Sequence, residues 1–193
     1  DVTSGLVTGT GTNQITINPA TTFSSSTGYY LNIAATAFDD TASNSYAGIS
    51  NATSLNFTIA DVNAPTMTVT AIEVMDGDTS GHSSLSLTFT SSEATSNFAL
   101  GDITVSGGDM SNFAQTSDTI YTATFTPSSD GATTIDVDGS TFTDAYGNNN
   151  TAAIQFYWTF DSTAPTMLIT SAEVSNGDTS NDAALTMTFE ASE

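Results

Sequence analysis

Oxygen is the only ligand atom this chain supplies in quantity. Its 193 residues include 21 Asp and Glu, one His, and no Lys, Arg or Cys, for a formal net charge of −21. A chain of this length with ordinary composition carries roughly 20 basic residues, so their absence has consequences. No side chain except His82 can pair ionically with a carboxylate. Nucleic acid is excluded as a partner, because phosphate contacts need cationic side chains. Anionic membrane surfaces are excluded on the same ground. Nucleophilic catalysis has no thiol and a single imidazole, and the position 100 residues after His82 is Asp182. His82 therefore reads as a solvated loop residue. Paired carboxylates hydrolyse glycosides in some folds, but here the acids fall in turns and on outward strand positions, so the chain is not expected to be an enzyme. Carboxylates do suit hard cations. Calcium takes six to eight oxygens from Asp, Glu, Asn and backbone carbonyls. The candidate ligands are Asp61, Asn63, Glu93, Asp144, Asn148 and Asp161. Counterions would also offset the self-repulsion of so lopsided a charge.

What could position these residues is a repeat. Asp61–Glu93 reads DVNAPTMTVTAIEVMDGDTSGHSSLSLTFTSSE, and Asp161–Glu193 reads DSTAPTMLITSAEVSNGDTSNDAALTMTFEASE. The offset is 100 residues without a gap, and 17 of the 33 paired positions are identical. A fainter parallel relates Asp1–Asp61 to Asp102–Asp161, with Phe38-Asp39-Asp40 near the place of Phe142-Thr143-Asp144. Three units follow: 1–62, the C-terminal part of one repeat; 63–162, a complete repeat; and 163–193, the N-terminal part of a further one. Because this frame is cut part-way through a repeat at each end, and Asp1 is neither an initiator Met nor the start of a signal peptide, the array is expected to continue past both ends.

Ser and Thr make up about a third of the chain and alternate with Val, Ile, Leu and Phe, which favours strands. In the complete repeat, strands are expected at Met67–Val74, Ser83–Thr90, Asp102–Ser106, Met110–Phe113, Ile120–Thr126, Thr133–Val137 and Ala153–Phe160. The last should place Ile154, Phe156, Trp158 and Phe160 on one inward face. Gly, Asn and Asp clusters punctuate the runs: Asp76-Gly77-Asp78, Gly107-Gly108, Asp130-Gly131 and Gly147-Asn148. About seven short strands in a hundred residues read as an immunoglobulin-like β-sandwich. The fold class is thus all-β, in tandem sandwiches of about seven strands. No apolar run approaches the roughly 20 residues of a membrane helix, so no membrane insertion is expected in this segment.

In such a sandwich, successive loops alternate between the two ends. The linker Asp61-Val62-Asn63 should lie beside Ser92-Glu93-Ala94 and the Asp144–Asn148 turn. That gathers Asp61, Asn63, Glu93, Asp144 and Asn148 from three segments, and Asp161 opens the equivalent linker of the next repeat. The same residues are also good turn-formers, since Asp and Asn bond their own backbone and tolerate left-handed conformations. Asp76-Gly77-Asp78 resembles a calcium loop locally, but the full twelve-residue pattern is missing; a turn is the expected reading. Asn51, Asn56 and Asn149 head N-x-S/T sequons and would accept glycans in a source that glycosylates asparagine.

The segments LTFTSSEATSNFALGDITVSGGDMSNF, YTATFTP, TFTDAYGNNNTAA and DSTAPTM resemble the bacterial Ig-like repeats of giant surface adhesins and biofilm proteins. The resemblance covers 61–193 well and 1–60 loosely. It implies secretion, a rod of many copies, and calcium at the junctions between domains. The leading expectation is a structural repeat of an extracellular filament or adhesin stalk, stiffened by cations, with neighbouring copies as partners. The alternative is a carbohydrate-binding module of a cell-surface protein, recognising surface glycans through aromatics such as Tyr29, Tyr30, Tyr46 or Tyr157. A third arrangement has copies exchanging a strand with their neighbours.

Overall fold

The computed structural model describes residues 5–9, 11–95 and 97–193. Alternation of apolar and polar side chains over short runs has produced strands throughout. The first segment holds β1 (Val7–Thr8), β2 (Thr16–Ile17), β3 (Gly28–Tyr30) and β4 (Asn56–Thr58). The middle holds β5 (Met67–Ala71), β6 (Thr79–Ser80), β7 (Leu85–Ser91), β8 (Ile103–Ser106), β9 (Gly108–Gln115), β10 (Ile120–Pro127), β11 (Gly131–Val137) and β12 (Phe156–Phe160). The hairpin β13 (Met167–Ser171) and β14 (Met187–Ala191) follows.

Residues 67–160 form two four-stranded sheets, ordered β5-β7-β10-β9 and β6-β12-β11-β8. All pairings are antiparallel except β6 with β12. This is the strand distribution of an immunoglobulin-like sandwich. Leu85, Leu87 and Phe89 of β7, Tyr121 and Phe125 of β10, Ile135 and Val137 of β11, and Phe156 and Trp158 of β12 fill the space between the sheets. Three buried side chains find hydrogen-bond partners there. Trp158 Nε1 donates to Ser80 Oγ at 3.0 Å, Thr133 Oγ1 to the Trp158 carbonyl at 2.8 Å, and Tyr121 Oη to the Thr95 carbonyl at 2.8 Å. Truncating a buried aromatic such as Trp158 to Ala costs about 3–5 kcal/mol.

Three strand expectations are corrected. The last strand begins at Phe156 rather than Ala153, and Ile154 is 88 % exposed instead of inward. Ladder pairing to β11 starts only at Phe156–Ile135, and Ala153 turns to the core in place of Ile154. Extending the period-2 pattern through residues 153–155 assumed a continuous strand that the backbone does not make. The segment expected at Met110–Phe113 runs from Gly108 to Gln115. Its register against β10 shifts between Thr122 and Thr124, with Asn112 at φ 53°. This bulge adds a residue, so Met110 and Phe113 face the core at a spacing of three. The first strand ends at Ala71 rather than Val74. The chain then turns through Asp76-Gly77-Asp78 into β6, which is too short to show a period in sequence.

That turn is structural. Asp78 Oδ2 accepts from the Met75 amide at 2.7 Å, and Asp76 Oδ1 from the Tyr157 amide at 2.8 Å. Gly77 sits at φ +90°, where a Cβ would lie 2.7 Å from Tyr157 Oη. Only glycine meets both demands.

Candidate metal centre

Three loops meet where the first segment joins the sandwich. The linker brings Asp61, whose Oδ1 accepts from the Asn63 amide and Asn63 Nδ2, both at 3.0 Å, and from Ser25 Oγ at 2.8 Å. Ser25 Oγ in turn accepts from the Val62 amide at 3.0 Å. This holds the linker against the loop that precedes β3.

Glu93 follows β7. The next residues run beside the Asp144 hairpin through the Thr95–Asp144 bridge. The hairpin is built by its own side chains. Asn150 Oδ1 accepts from the Phe142 and Thr141 amides, while its Nδ2 donates to the Asp138 and Thr151 carbonyls. Phe142 above it is buried. Asp144 Oδ1 accepts from the Tyr146 and Asn148 amides at 2.8 and 2.9 Å, and its Oδ2 from Asn148 Nδ2 at 2.7 Å. Asn148 Nδ2 also donates to the Asp61 carbonyl at 3.2 Å, which ties the hairpin to the linker.

The result is a group of three carboxylates. One oxygen each from Asp61, Glu93 and Asp144 lies within 4.8 Å of the other two. Their electrostatics differ. Glu93 is pushed above the usual carboxylate range by burial and by the charges of Asp61 and Asp144. Asp61 is held below it by its bonds from Asn63 and Ser25. Burial raises Asp144, but the donors from Asn148, Tyr146 and Gly147 outweigh it and the net shift is down. Two aspartates are thus kept ionised by dedicated donors, and Glu93 faces both. The chain has no Lys or Arg to neutralise them. Three oxygens at this spacing, with carbonyls and water to complete the shell, suit a hard divalent cation.

Of the six sequence candidates, Asp61, Glu93 and Asp144 converge. Asn63 and Asn148 act through their amide groups on Asp61 and Asp144. Asp161 belongs to no group of three such side chains among the described residues. It accepts the Thr163 amide at 3.0 Å, while Asp130 takes the rest of that linker: Ser162 N at 2.9 Å, Ser162 Oγ at 2.8 Å and Thr163 Oγ1 at 2.7 Å. Sequence reasoning missed Ser25 and Asp130. Ser25 lies in a Ser/Thr run without a distinguishing neighbour, and Asp130 looked like an ordinary turn residue. Asp40 and Asn44 repeat the Asp144–Asn148 bonding: the Asp40 carboxylate accepts the Ala42 and Asn44 amides and Asn44 Nδ2, all at 2.8 Å. The sequon residues Asn51, Asn56 and Asn149 are exposed, as is His82.

A family model described as bacterial Ig-like domain matches residues 61–157. No curated protein and no solved structure matches the chain. No helix among the described residues is long and apolar enough to cross a membrane.

Proposed function

Because the chain belongs to the bacterial Ig-like domain family, we propose that it is a spacer in an extracellular filament or adhesin stalk, stiffened by calcium at its junctions. Bacterial Ig-like domains are often surface-exposed and generally non-enzymatic. The observation that carries the stiffening is the meeting of Asp61, Glu93 and Asp144. Asp61 belongs to the linker, whereas Glu93 and Asp144 belong to the sandwich. A cation shared among them couples the linker to the domain, which a cation bound within one loop would not do. Extracellular calcium modules bind at about 0.1–1 mM, so the site would fill outside a cell. The missing Lys and Arg add a second advantage, since trypsin-like proteases find no cleavage site.

Thermal melting with and without calcium tests this. At a calcium concentration a hundred times Kd the gain is about 2.7 kcal/mol. For a hundred-residue domain, each kcal/mol is worth about 4–8 °C in Tm. Superimposable melting curves in calcium and in chelator would remove the cation from the proposal. The carbohydrate reading draws less support. Tyr29 packs against Phe23 and Phe57, with ring centroids 4.6 and 5.8 Å away, and Tyr46 packs toward Phe38 at 6.2 Å. These aromatics serve their own clusters rather than a common platform.

A further inference from the structure

An aspartate followed by glycine has a chemistry of its own. Glycine carries no side chain to shield its amide nitrogen and leaves the backbone free to rotate, so that nitrogen can reach the γ-carbon of the preceding carboxyl. The sequence holds three such pairs, Asp76-Gly77, Asp130-Gly131 and Asp138-Gly139, all inside the complete repeat. The fold treats them differently.

Two pairs are locked at both reacting groups. Asp76 Oδ1 accepts from the Tyr157 amide at 2.8 Å, and the Gly77 amide donates to the Tyr157 carbonyl at 2.9 Å. Asp130 accepts from Ser162 and Thr163 through both its oxygens, and Gly131 lies in the β11–β12 ladder opposite Phe160. The third pair is loose. Asp138 and Gly139 follow the end of β11, and both are exposed. Among the described residues, neither the Asp138 carboxylate nor the Gly139 amide has a hydrogen-bond partner. The Asp138 carbonyl, by contrast, is in use. It accepts from Asn150 Nδ2 at 2.8 Å and from Thr141 Oγ1 at 3.0 Å. Asn150 in turn holds the Thr141 and Phe142 amides, which open the hairpin that presents Asp144.

We propose that Asp138-Gly139 is a site of spontaneous backbone isomerisation, the one Asp-Gly pair of the folded repeat that forms isoaspartate. The Gly139 nitrogen attacks Asp138 Cγ in its carboxylic-acid form. The new C–N bond closes a succinimide, and the acid hydroxyl leaves as water with the amide proton. Water then opens the ring. Attack at the Cγ carbonyl restores Asp138, whereas attack at the α-carbonyl leaves Gly139 joined through the Asp138 side chain. The main chain then gains a methylene, and the carbonyl that Asn150 and Thr141 held becomes a free carboxylate. A chain that trypsin-like proteases cannot cut lasts long enough for such slow chemistry to accumulate. Loosening of the calcium junction through Asn150 rests on the spacer reading; the isomerisation does not. It is read without calcium, so failure of either test leaves the other standing.

Peptide mapping of the 193-residue chain after prolonged incubation tests the proposal, with Trp158 fluorescence confirming the folded state. An endoprotease specific for aspartate does not cut before isoaspartate, and isomerisation leaves the mass unchanged. Ammonia loss at Asn176-Gly177 would change it, so the two are told apart. In the folded chain, isoaspartate should form at 138 at least about tenfold faster than at 76 or 130, where a bond to a charged acceptor must first open. In concentrated urea the three rates should converge. Asp138→Glu keeps the charge and the carbonyl but cannot close a ring of that size, so it should form no product at 138. Equal rates at the three pairs in the folded chain, or an Asp138 that stays intact while the unfolded chain isomerises, would overturn the proposal.

Discussion

The two linkers share the frame Asp-x-x-Ala-Pro-Thr-Met, yet they are held by opposite chemistry. At the first, the linker supplies the acid and the preceding loop the hydroxyl: Asp61 accepts from Ser25. At the second, the loop supplies the acid and the linker the hydroxyls: Asp130 accepts from Ser162 and Thr163. In a chain without basic side chains, each carboxylate must find N–H and O–H donors or a metal ion. Asp130 finds three donors and is held below the usual carboxylate range by them. Glu93 is pushed up by burial and by the two other carboxylates that it faces. The first junction is therefore left with an unmet charge, and the second is closed by its own hydrogen bonds.

The largest expected effect separates the junctions through calcium. Glu93→Gln removes the repulsion, so Tm without calcium should rise, while the calcium-dependent gain of about 2.7 kcal/mol at a hundredfold excess over Kd should vanish. A Glu93→Gln protein that keeps the full calcium shift would show that the ion sits elsewhere. Asn148→Ala strips the donor that orients Asp144, and loss of such an outer partner lowers metal affinity about 10–100-fold. Asp161→Asn should leave calcium affinity unchanged; titration calorimetry reads both. At the second junction, Asp130→Ala should speed exchange of the Ser162 amide by about tenfold, as a bond to a charged acceptor is lost at an exposed site. Equal exchange before and after would mean that Asp130 does not hold the linker.

Acid should divide the junctions more gently. Asp61, Asp144 and Asp130 have depressed values in the fold. Their contribution is present above the ordinary carboxylate range and is lost as pH falls through the depressed values. Glu93 is raised, so its charged form opposes folding above its folded value, and that opposition disappears when it takes up a proton. Without calcium, denaturant stability of wild type should first rise slightly as pH falls from 7, then decline. Glu93→Gln should show only the decline. The smallest effect belongs to a site away from both linkers: Ile154→Thr should change stability by no more than about 0.5 kcal/mol.

The all-β class and most strands were legible because period-2 alternation is a local property. The convergence of Asp61, Glu93 and Asp144 was legible too, since loop order in a sandwich dictates which end each loop occupies. Ile154 was misplaced because alternation continues in sequence after pairing has stopped. Met110 and Phe113 were joined by a bulge that alternation cannot express. Ser25 and Asp130 escaped because their role lies in a contact 36 and 32 residues away, made by side chains that any turn could carry.

The pairing of β6 with β12 has a mechanical consequence. These strands run parallel, Thr79 beside Thr159 and Ser80 beside Phe160. β6 comes soon after the entering linker, and β12 leads into the departing one. Tension applied through the two linkers pulls such strands in opposite directions along their length. Load that passes β5, itself laddered to β7, falls in shear on the β6–β12 bonds, the Thr159 amide to the Asp78 carbonyl at 2.9 Å and the Asp161 amide to the Ser80 carbonyl at 3.1 Å. The Asp76 bond to the Tyr157 amide and the Gly77 amide bond to the Tyr157 carbonyl lie in the same line. Bonds loaded side by side must fail together, whereas a hairpin pulled from its open end would unzip one rung at a time. A turn that resembled a metal loop in sequence thus places its own hydrogen bonds in the line of such a pull.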